Sequence, residues 1–382
     1  MVKLGEVARL INGRAYQANE LLEVGKYPVL RVGNLFTSEH WYYSNLELES
    51  DKLCDRDDLL FAWSASFGPF IWQGPKAIYH YHIWKIECGN NLDSQYAYYA
   101  LQLVTESIKQ SSHGMAMLHM TKAGMEQVTI PLPPLTEQKR IAAILNDKLA
   151  AVEAARKAAE TQLEAARALP AAYLREVFES EEAKGWEKIS IAALSDTCSG
   201  TTPSRSRSDY YGGKIPWIKT GELRDGTIVE AEETVTELAV KETSLTLLPS
   251  GTLLIAMYGQ GQTRGRTGLL AVEATTNQAC FAILPNPNRF VPRFLQLWFM
   301  HNYASIRKES EFRGGNQPNL NGEFLKALEV SLPSIDEQSV IVDKLDGFLN
   351  KSSALTASCV ASLAHLSHLS PSLLRQAFRG EL

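Results

Sequence analysis

At 382 residues the chain exceeds the size at which single cores stop growing, roughly 250–300 residues, so two or three domains are expected. Hydrophobic content of 45% beside 21% charged residues is ordinary for a globular protein, and no apolar run approaches the roughly 20 residues needed to cross a bilayer. The start, Met1-Val2-Lys3-Leu4-Gly5-Glu6, has no signal-peptide core, and Cys54, Cys88, Cys198, Cys280 and Cys359 are scattered without a CxxC pair, which suits reduced thiols in a cytoplasm better than a disulfide framework or a zinc site.

In chain order, 27–32 and 59–63 have the β-branched, aromatic and apolar density of strands, and 93–110 reads as a helix. Between them, 39–58 is acidic, relieved only by Lys52 and Arg56. A long helical stripe follows, from Ile141 and Leu145 through Leu149, Val152, Ala155, Ala159, Leu163, Ala166, Leu169 and Tyr173 to Val177. Pro133 precedes it, Thr136 suits the N-cap, Glu137 suits the positive dipole end, and Pro170 should break it. The next half repeats the plan, with strands over 252–257 and 278–284 and a helix over 292–308. A second stripe runs Ile341, Leu345, Leu349, Ser352, Leu355, Cys359, Leu363, Leu366, Leu369, Leu373, Ala377, with Pro333 before it, Asp336 as N-cap and Pro371 as the break. Each main rod is then about 32 residues, or roughly 48 Å at 1.5 Å per residue. Its mean spacing near 3.6 predicts weak supercoiling.

The halves repeat each other. Residues 130–149 (IPLPPLTEQKRIAAILNDKL) and 330–349 (VSLPSIDEQSVIVDKLDGFL) share a Leu-Pro-x-hydrophobic-x-Glu-Gln helix start at an offset of 200, held as far as Phe178 and Phe378. Upstream the offset drifts: Tyr27–Leu35 matches Ile215–Leu223 at 188, and Asp58–Ala62 matches Thr252–Ala256 at 194. The chain therefore reads as an α+β protein of domain, helix, domain, helix, over 1–136, 137–184, 185–336 and 337–382.

Charge is segregated along the chain. Residues 200–221 carry Arg205, Arg207, Lys214 and Lys219 against Asp209, whereas 229–242 carries Glu230, Glu232, Glu233, Glu237 and Glu242 against Lys241. Acid gathered on one surface would leave basic loops for phosphates on another; ordinary solvated faces of mixed charge are the alternative. Three loops have the right chemistry. Thr202, Ser204 and Arg205 lie in a Gly-Thr-Thr-Pro-Ser-Arg loop suited to phosphate oxygens, with Lys219 on the following strand. Tyr258, Gln260, Gln262, Arg264 and Arg266 share a glycine-rich loop in which Arg suits guanine and Gln suits adenine. Asn316, Gln317 and Asn319 form a third loop. In the first domain the candidates are Arg14, Arg31, Asn34, Ser64 and Lys122, while Trp63 and Phe67 read as packing residues.

Catalytic signatures are missing. There is no phosphate-binding GxxxxGK[ST] loop, no HExxH, and no glycine-rich turn for a dinucleotide or S-adenosylmethionine. Glu182-Ala183-Lys184 resembles the end of a nuclease motif but sits in a linker, and the histidines lack metal-ligand spacing.

The two Leu-Pro helix starts, Gly200–Ser204, Ile215-Pro216-Trp217-Ile218, Gly315-Asn316-Gln317 and the final Leu374–Leu382 together resemble the specificity subunit of type I restriction–modification systems, across essentially the whole chain. The first domain departs from the pattern, its Ile11-Asn12-Gly13-Arg14-Ala15-Tyr16 lacking the Thr-Pro-Ser loop. The resemblance implies two target recognition domains alternating with two long helices that pair as an antiparallel coiled coil. It implies a non-catalytic, cytoplasmic subunit reading a bipartite, asymmetric site in double-stranded DNA. Two modification subunits would supply S-adenosylmethionine-dependent N6-adenine methylation, and restriction subunits would use ATP with Mg. This chain would bind no cofactor, metal or membrane. A rod of roughly 48 Å would span roughly 14 base pairs, so helix length would set the spacer; an unchanged gap after insertion of one helical turn would sink that idea. Two other readings remain. A self-sufficient methyltransferase or nuclease would act without partners, and a coiled-coil adaptor would bind DNA no worse after Arg264→Ala with Arg266→Ala.

Overall fold

The computed structural model describes residues 1–36, 38–64, 67–111, 120–259, 261–311 and 320–382. The chain divides into two compact units, Met1–Thr161 with Cys359–Leu382, and Gln162–Ser358. Both boundaries fall inside long helices, Leu135–Phe178 and Ile335–Phe378, so each unit holds one globular part and one portion of each helix.

In the first unit, Ala8–Asn12, Ile83–Cys88, Leu59–Ala62 and Gly68–Ile71 form an antiparallel sheet in that order. A second sheet orders Tyr42–Ser44, Tyr27–Leu30, Ala77–Tyr79 and Leu53–Cys54, its middle pair parallel. Leu59–Ala62 is buried throughout, which explains its continuous apolar run where a half-exposed strand would alternate. Helix Ser94–Ser111 brings Tyr96 and Leu101 to a core with Leu10, Phe61 and Trp84. Ile141 and Leu145 of the first long helix and Leu374 and Ala377 of the second close that core.

The second unit repeats this plan. Thr197–Ser199, Cys280–Ile283, Leu253–Ala256, Thr267–Leu270 and Gly226–Ile228 form one sheet, and Glu233–Val235, Tyr211–Ile218 and Thr275–Thr276 the other. The pairings correspond: Val29 faces Ile78 in parallel as Trp217 faces Thr275, and Ala62 faces Ile83 as Ala256 faces Cys280. The single helix expected over 292–308 is two, Pro292–His301 and Tyr303–Glu311. Asn302 separates them, its side-chain amide donating back to the Trp298 carbonyl at 2.9 Å.

The long helices pair antiparallel within each unit. In the second, Tyr173 stacks on Phe348 with ring centroids 4.5 Å apart, Leu174 packs with Leu345, and Ala166 meets Ser352, so one numbering falls as the other rises. In the first, Arg140 donates to the Leu382 carbonyl at 2.8 Å while Leu145 shares a core with Leu374.

The expected breaks at Pro170 and Pro371 do not occur. Both helices run 44 residues through their prolines, which makes each about 66 Å long at 1.5 Å per residue, not 48 Å. A proline inside a helix strands the carbonyl four residues earlier. For Pro170 that carbonyl is Ala166, which is buried, and the Ser352 hydroxyl donates to it at 3.0 Å. For Pro371 it is that of Ser367, an exposed residue. Ser352, the polar member of an apolar stripe, thus supplies the donor that Pro170 lacks. The stripe is also narrower than expected. In the middle of the second helix Leu345, Ser352 and Cys359 are buried at steps of seven, like Ala159 and Ala166 on the other helix, whereas Leu355 and Leu369 are exposed.

The duplicated Glu-Gln helix start also has a structural cause. The helices begin at Leu135 and Ile335, so Thr136 and Asp336 lie in the first turn and are not N-caps. Ser334 caps the second helix, exchanging hydrogen bonds with Glu337. Gln138 and Gln338 are fully buried. Gln138 accepts from the Asp93 amide at 2.8 Å and donates to the Asn91 and Pro133 carbonyls; Gln338 accepts from the Val291 amide at 2.8 Å and donates to the Arg289 and Pro333 carbonyls. Each glutamine pins its long helix to the loop that opens the preceding domain helix.

Candidate nucleic-acid interface

In both units a glycine lies against the end of the parallel strand pair. A Cβ at Gly13 would overlap the Tyr79 and His80 carbonyl oxygens, and one at Gly200 would overlap those of Thr276 and Asn277. The backbone bonds match: Gly13 donates to Ile83 and Arg14 to Tyr79, as Gly200 donates to Cys280 and Thr201 to Thr276. The first unit therefore has a counterpart of the Gly-Thr-Thr-Pro-Ser loop, Gly13-Arg14-Ala15-Tyr16, built on the same frame with different side chains.

In the second unit the basic loop is held by aromatics. Trp217 donates to the Thr201 carbonyl at 3.0 Å and Tyr211 to the Pro203 carbonyl at 2.6 Å, and the Arg205 guanidinium lies 4.4 Å from the Tyr211 ring centroid and 5.1 Å from that of Trp217. The expected separation of acid from base fails here, because the acidic segment folds against the basic one. Arg205 and Lys219 both bind Glu233, at 2.6 and 2.9 Å, and Lys219 reaches Glu232. Arg207 binds Asp209 and Glu242. The hydrogen bonds from Arg205 and then Lys219 pull the Glu233 carboxyl down to about 2. Arg205, Arg207, Asp209, Glu232 and Glu242 are exposed, while Lys219 and Glu233 are half-buried between them. Thr202 bonds Gln278, and Ser204 bonds Ser206 at 2.8 Å.

The glycine-rich loop is braced rather than free. Gly259, Gly261 and Gly265 take positive φ values of 143°, 58° and 85°, which lets the chain double back so that Ala256 and Gly265 close it. Arg266 binds Asp225 and the Gln262 side chain, Tyr303 donates to the Gln262 carbonyl at 2.6 Å, and Arg307 donates to the Gly261 and Arg264 carbonyls. Arg264, expected on the surface, is buried at 6% exposure. Arg266 is spent on the loop's own frame. Tyr258, at 44% exposure, is the aromatic this loop presents to solvent. Gln260, Asn316, Gln317 and Asn319 lie outside the described residues, as do 113–119 of the corresponding loop in the first unit.

The first unit's candidates are scattered in role. Arg14 binds Glu20 at 2.6 Å and lies over Tyr16. Arg31 stands where Lys219 stands in the other unit, but stacks on Tyr42 at 4.4 Å where Lys219 meets Glu233. Asn34 closes a loop through the Arg31 amide and the His40 carbonyl, Ser64 is buried, and Lys122 pairs with Glu126 on its own short helix at 3.7 Å. Sequence reasoning missed His80, Tyr81 and His82, whose rings lie within 4.9 Å of one another. Burial, then His82 and Arg31 beside it, lowers the His80 imidazole to about 4. A His-x-His spacing held no sequence signal, because its meaning comes from the strand pair beneath it. Among the described residues, no group of three or more His, Cys, Asp or Glu could hold a metal ion, and no helix is long and apolar enough to cross a membrane.

A family model described as the type I restriction modification DNA specificity domain matches residues 1–164 and 183–360. The chain is 23% identical over 411 residues to the type I restriction enzyme EcoBI specificity subunit of Escherichia coli, covering 100% of this chain and 85% of that one. The crystal structure of the HsdS subunit from Thermoanaerobacter tengcongensis superposes with a TM-score of 0.65 at 19% identity, over 100% of this chain and 96% of that chain. A chain from a structure on complex assembly and conformational transition of the type I R-M system gives 0.74 at 19% identity, covering 100% and 97%. At such identities the structural likeness speaks for the fold.

Proposed function

The chain belongs to the type I restriction–modification DNA specificity family, and from that premise we propose that it reads a bipartite site in double-stranded DNA, one half with each unit, and performs no reaction itself. Modification subunits docked on it would methylate adenine using S-adenosylmethionine, and restriction subunits using ATP with Mg would join in the cytoplasm. The observation that carries this reading is the duplicated frame. Gly13 and Gly200 seat equivalent loops, Arg31 and Lys219 end equivalent strands, and the exposed side chains around them differ. One backbone device carrying two sets of side chains suits two different half-sequences.

Charge placement adds a second support. Arg205 and Arg207 are exposed cations and Lys219 is a half-buried one, each paired with a carboxylate at or near the surface, and such surface pairs exchange readily for phosphate. Phosphate contacts would set register on the duplex, leaving bases to shorter polar side chains. The test maps methylated adenines in DNA modified by the assembled complex. A bipartite motif that changes when this chain is replaced by a relative supports the reading; one unchanged by the replacement, or methylation by this chain alone, refutes it.

A further inference from the structure

Both parallel strand pairs run into a three-residue turn with one backbone geometry. His80 donates to the Leu30 carbonyl at 2.9 Å, and Asn277 to that of Ile218 at 3.0 Å. The His82 carbonyl accepts from Trp63 at 3.1 Å, and that of Ala279 from Met257 at 2.8 Å. Ile83 donates back to His80 at 2.9 Å, and Cys280 to Asn277 at 3.1 Å. The turns are therefore His80-Tyr81-His82 and Asn277-Gln278-Ala279, and their side chains share no position. Each is pressed from behind by its glycine, Gly13 or Gly200, where no side chain would fit. The middle residue stands out: Tyr81 is 39% exposed, and Gln278 is exposed with its side-chain oxygen on Thr202.

We propose that these two turns are the base-reading elements of the chain, Asn277 and Gln278 in the second unit and His80, Tyr81 and His82 in the first. The proposal rests on the DNA-reading function above and adds the residues that discriminate. A carboxamide donates and accepts in one plane, the pattern that matches N6 and N7 of adenine, so Gln278 assigns an adenine to the half-site of the second unit. The first unit offers rings instead. Tyr81 and His82 have centroids 3.9 Å apart, and Trp63 lies edge-on to His82 at 4.9 Å. A neutral imidazole donates from one nitrogen and accepts at the other, so this turn suits a purine edge approached by single hydrogen bonds. A fixed frame with interchangeable side chains allows one backbone to serve two half-sequences.

The experiment selects duplexes randomised in both half-sites, using the full chain assembled with modification subunits, and compares wild type with Gln278→Ala and Tyr81→Ala. Both residues are exposed, and a thermal melt of each variant confirms that it folds. Gln278→Ala should relax preference at one adenine by about 5- to 150-fold and leave the other half-site intact; Tyr81→Ala should alter only that other half-site. If wild type selects a bipartite sequence and both variants keep its base preferences, or weaken binding evenly at all positions, the turns are not readers. Selection of no sequence by wild type overturns the DNA-reading function, and this proposal with it.

Discussion

Replacing Ser352 by alanine tests the account of the proline-containing helix. In the native chain the Ala166 carbonyl has lost its helical donor to Pro170, is buried, and takes the Ser352 hydroxyl at 3.0 Å. The substitution leaves almost the same volume but an unpartnered buried carbonyl, at a cost of about 1–3 kcal/mol. Pro170→Ala restores an N–H at the position that should bond Ala166. In that background Ser352→Ala should cost less than about 0.5 kcal/mol, so the double-mutant cycle should show coupling of about 1 kcal/mol or more. Pro170→Ala alone should not destabilise, because proline is the poorest helix former. Guanidinium unfolding of the full chain measures all four variants; Ala166 and Ser352 lie in the same unit, whose transition the comparison follows. Equal costs of Ser352→Ala in both backgrounds would refute the reasoning, as would a cost near zero in the native one.

Three further outcomes follow from named contacts. Gln138→Ala strands the Asp93 amide and two carbonyls, and should destabilise by about 2–4 kcal/mol in urea unfolding, with Gln338→Ala similar; losses under 1 kcal/mol would show that the motif is not a structural pin. Glu233→Gln releases Arg205 and leaves Lys219 held by Glu232 alone, so affinity for random-sequence DNA should rise and the log-log salt slope should steepen by about one unit; an unchanged slope means that these cations do not meet phosphates. His80 is held neutral by burial, so its folded value of about 4 lies below the usual 6.5. The unfolded chain then binds more protons between those values, and the His80 contribution is present above pH 6.5 and lost as pH falls towards 4. His80→Gln should flatten the stability profile in that window, and an NMR titration placing the native imidazole near 6.5 would contradict it.

Much of the frame was legible from the sequence, because it is written in short-range pattern. Leu59–Ala62 and Leu253–Ala256 announce buried strands by composition alone, and the helix starts announce themselves by repetition. The failures have a common cause, which is pairing over long sequence separation. Pro170 reads as a break until Ser352, nearly two hundred residues away, is seen to donate to Ala166. The acids of 229–242 read as a separate surface until Glu233 is seen between Arg205 and Lys219. Arg264 has the composition of a surface reader but is buried. Gly13 gave no signal because its loop lacks the Thr-Pro-Ser of its counterpart, although both glycines face the same obstacle.

The division of the chain inside its two long helices has a consequence for how the molecule is made. The second unit, Gln162–Ser358, is one continuous stretch, whereas the first needs Cys359–Leu382 to complete it. Leu373, Leu374, Ala377, Phe378 and Leu382 pack into a core otherwise built from the first 161 residues. During synthesis from the N-terminus, the part made first is therefore finished last, waiting with an open apolar seam until residues 359–382 leave the ribosome. A nonsense codon near position 358 would spare every residue of the later unit and cripple the earlier one.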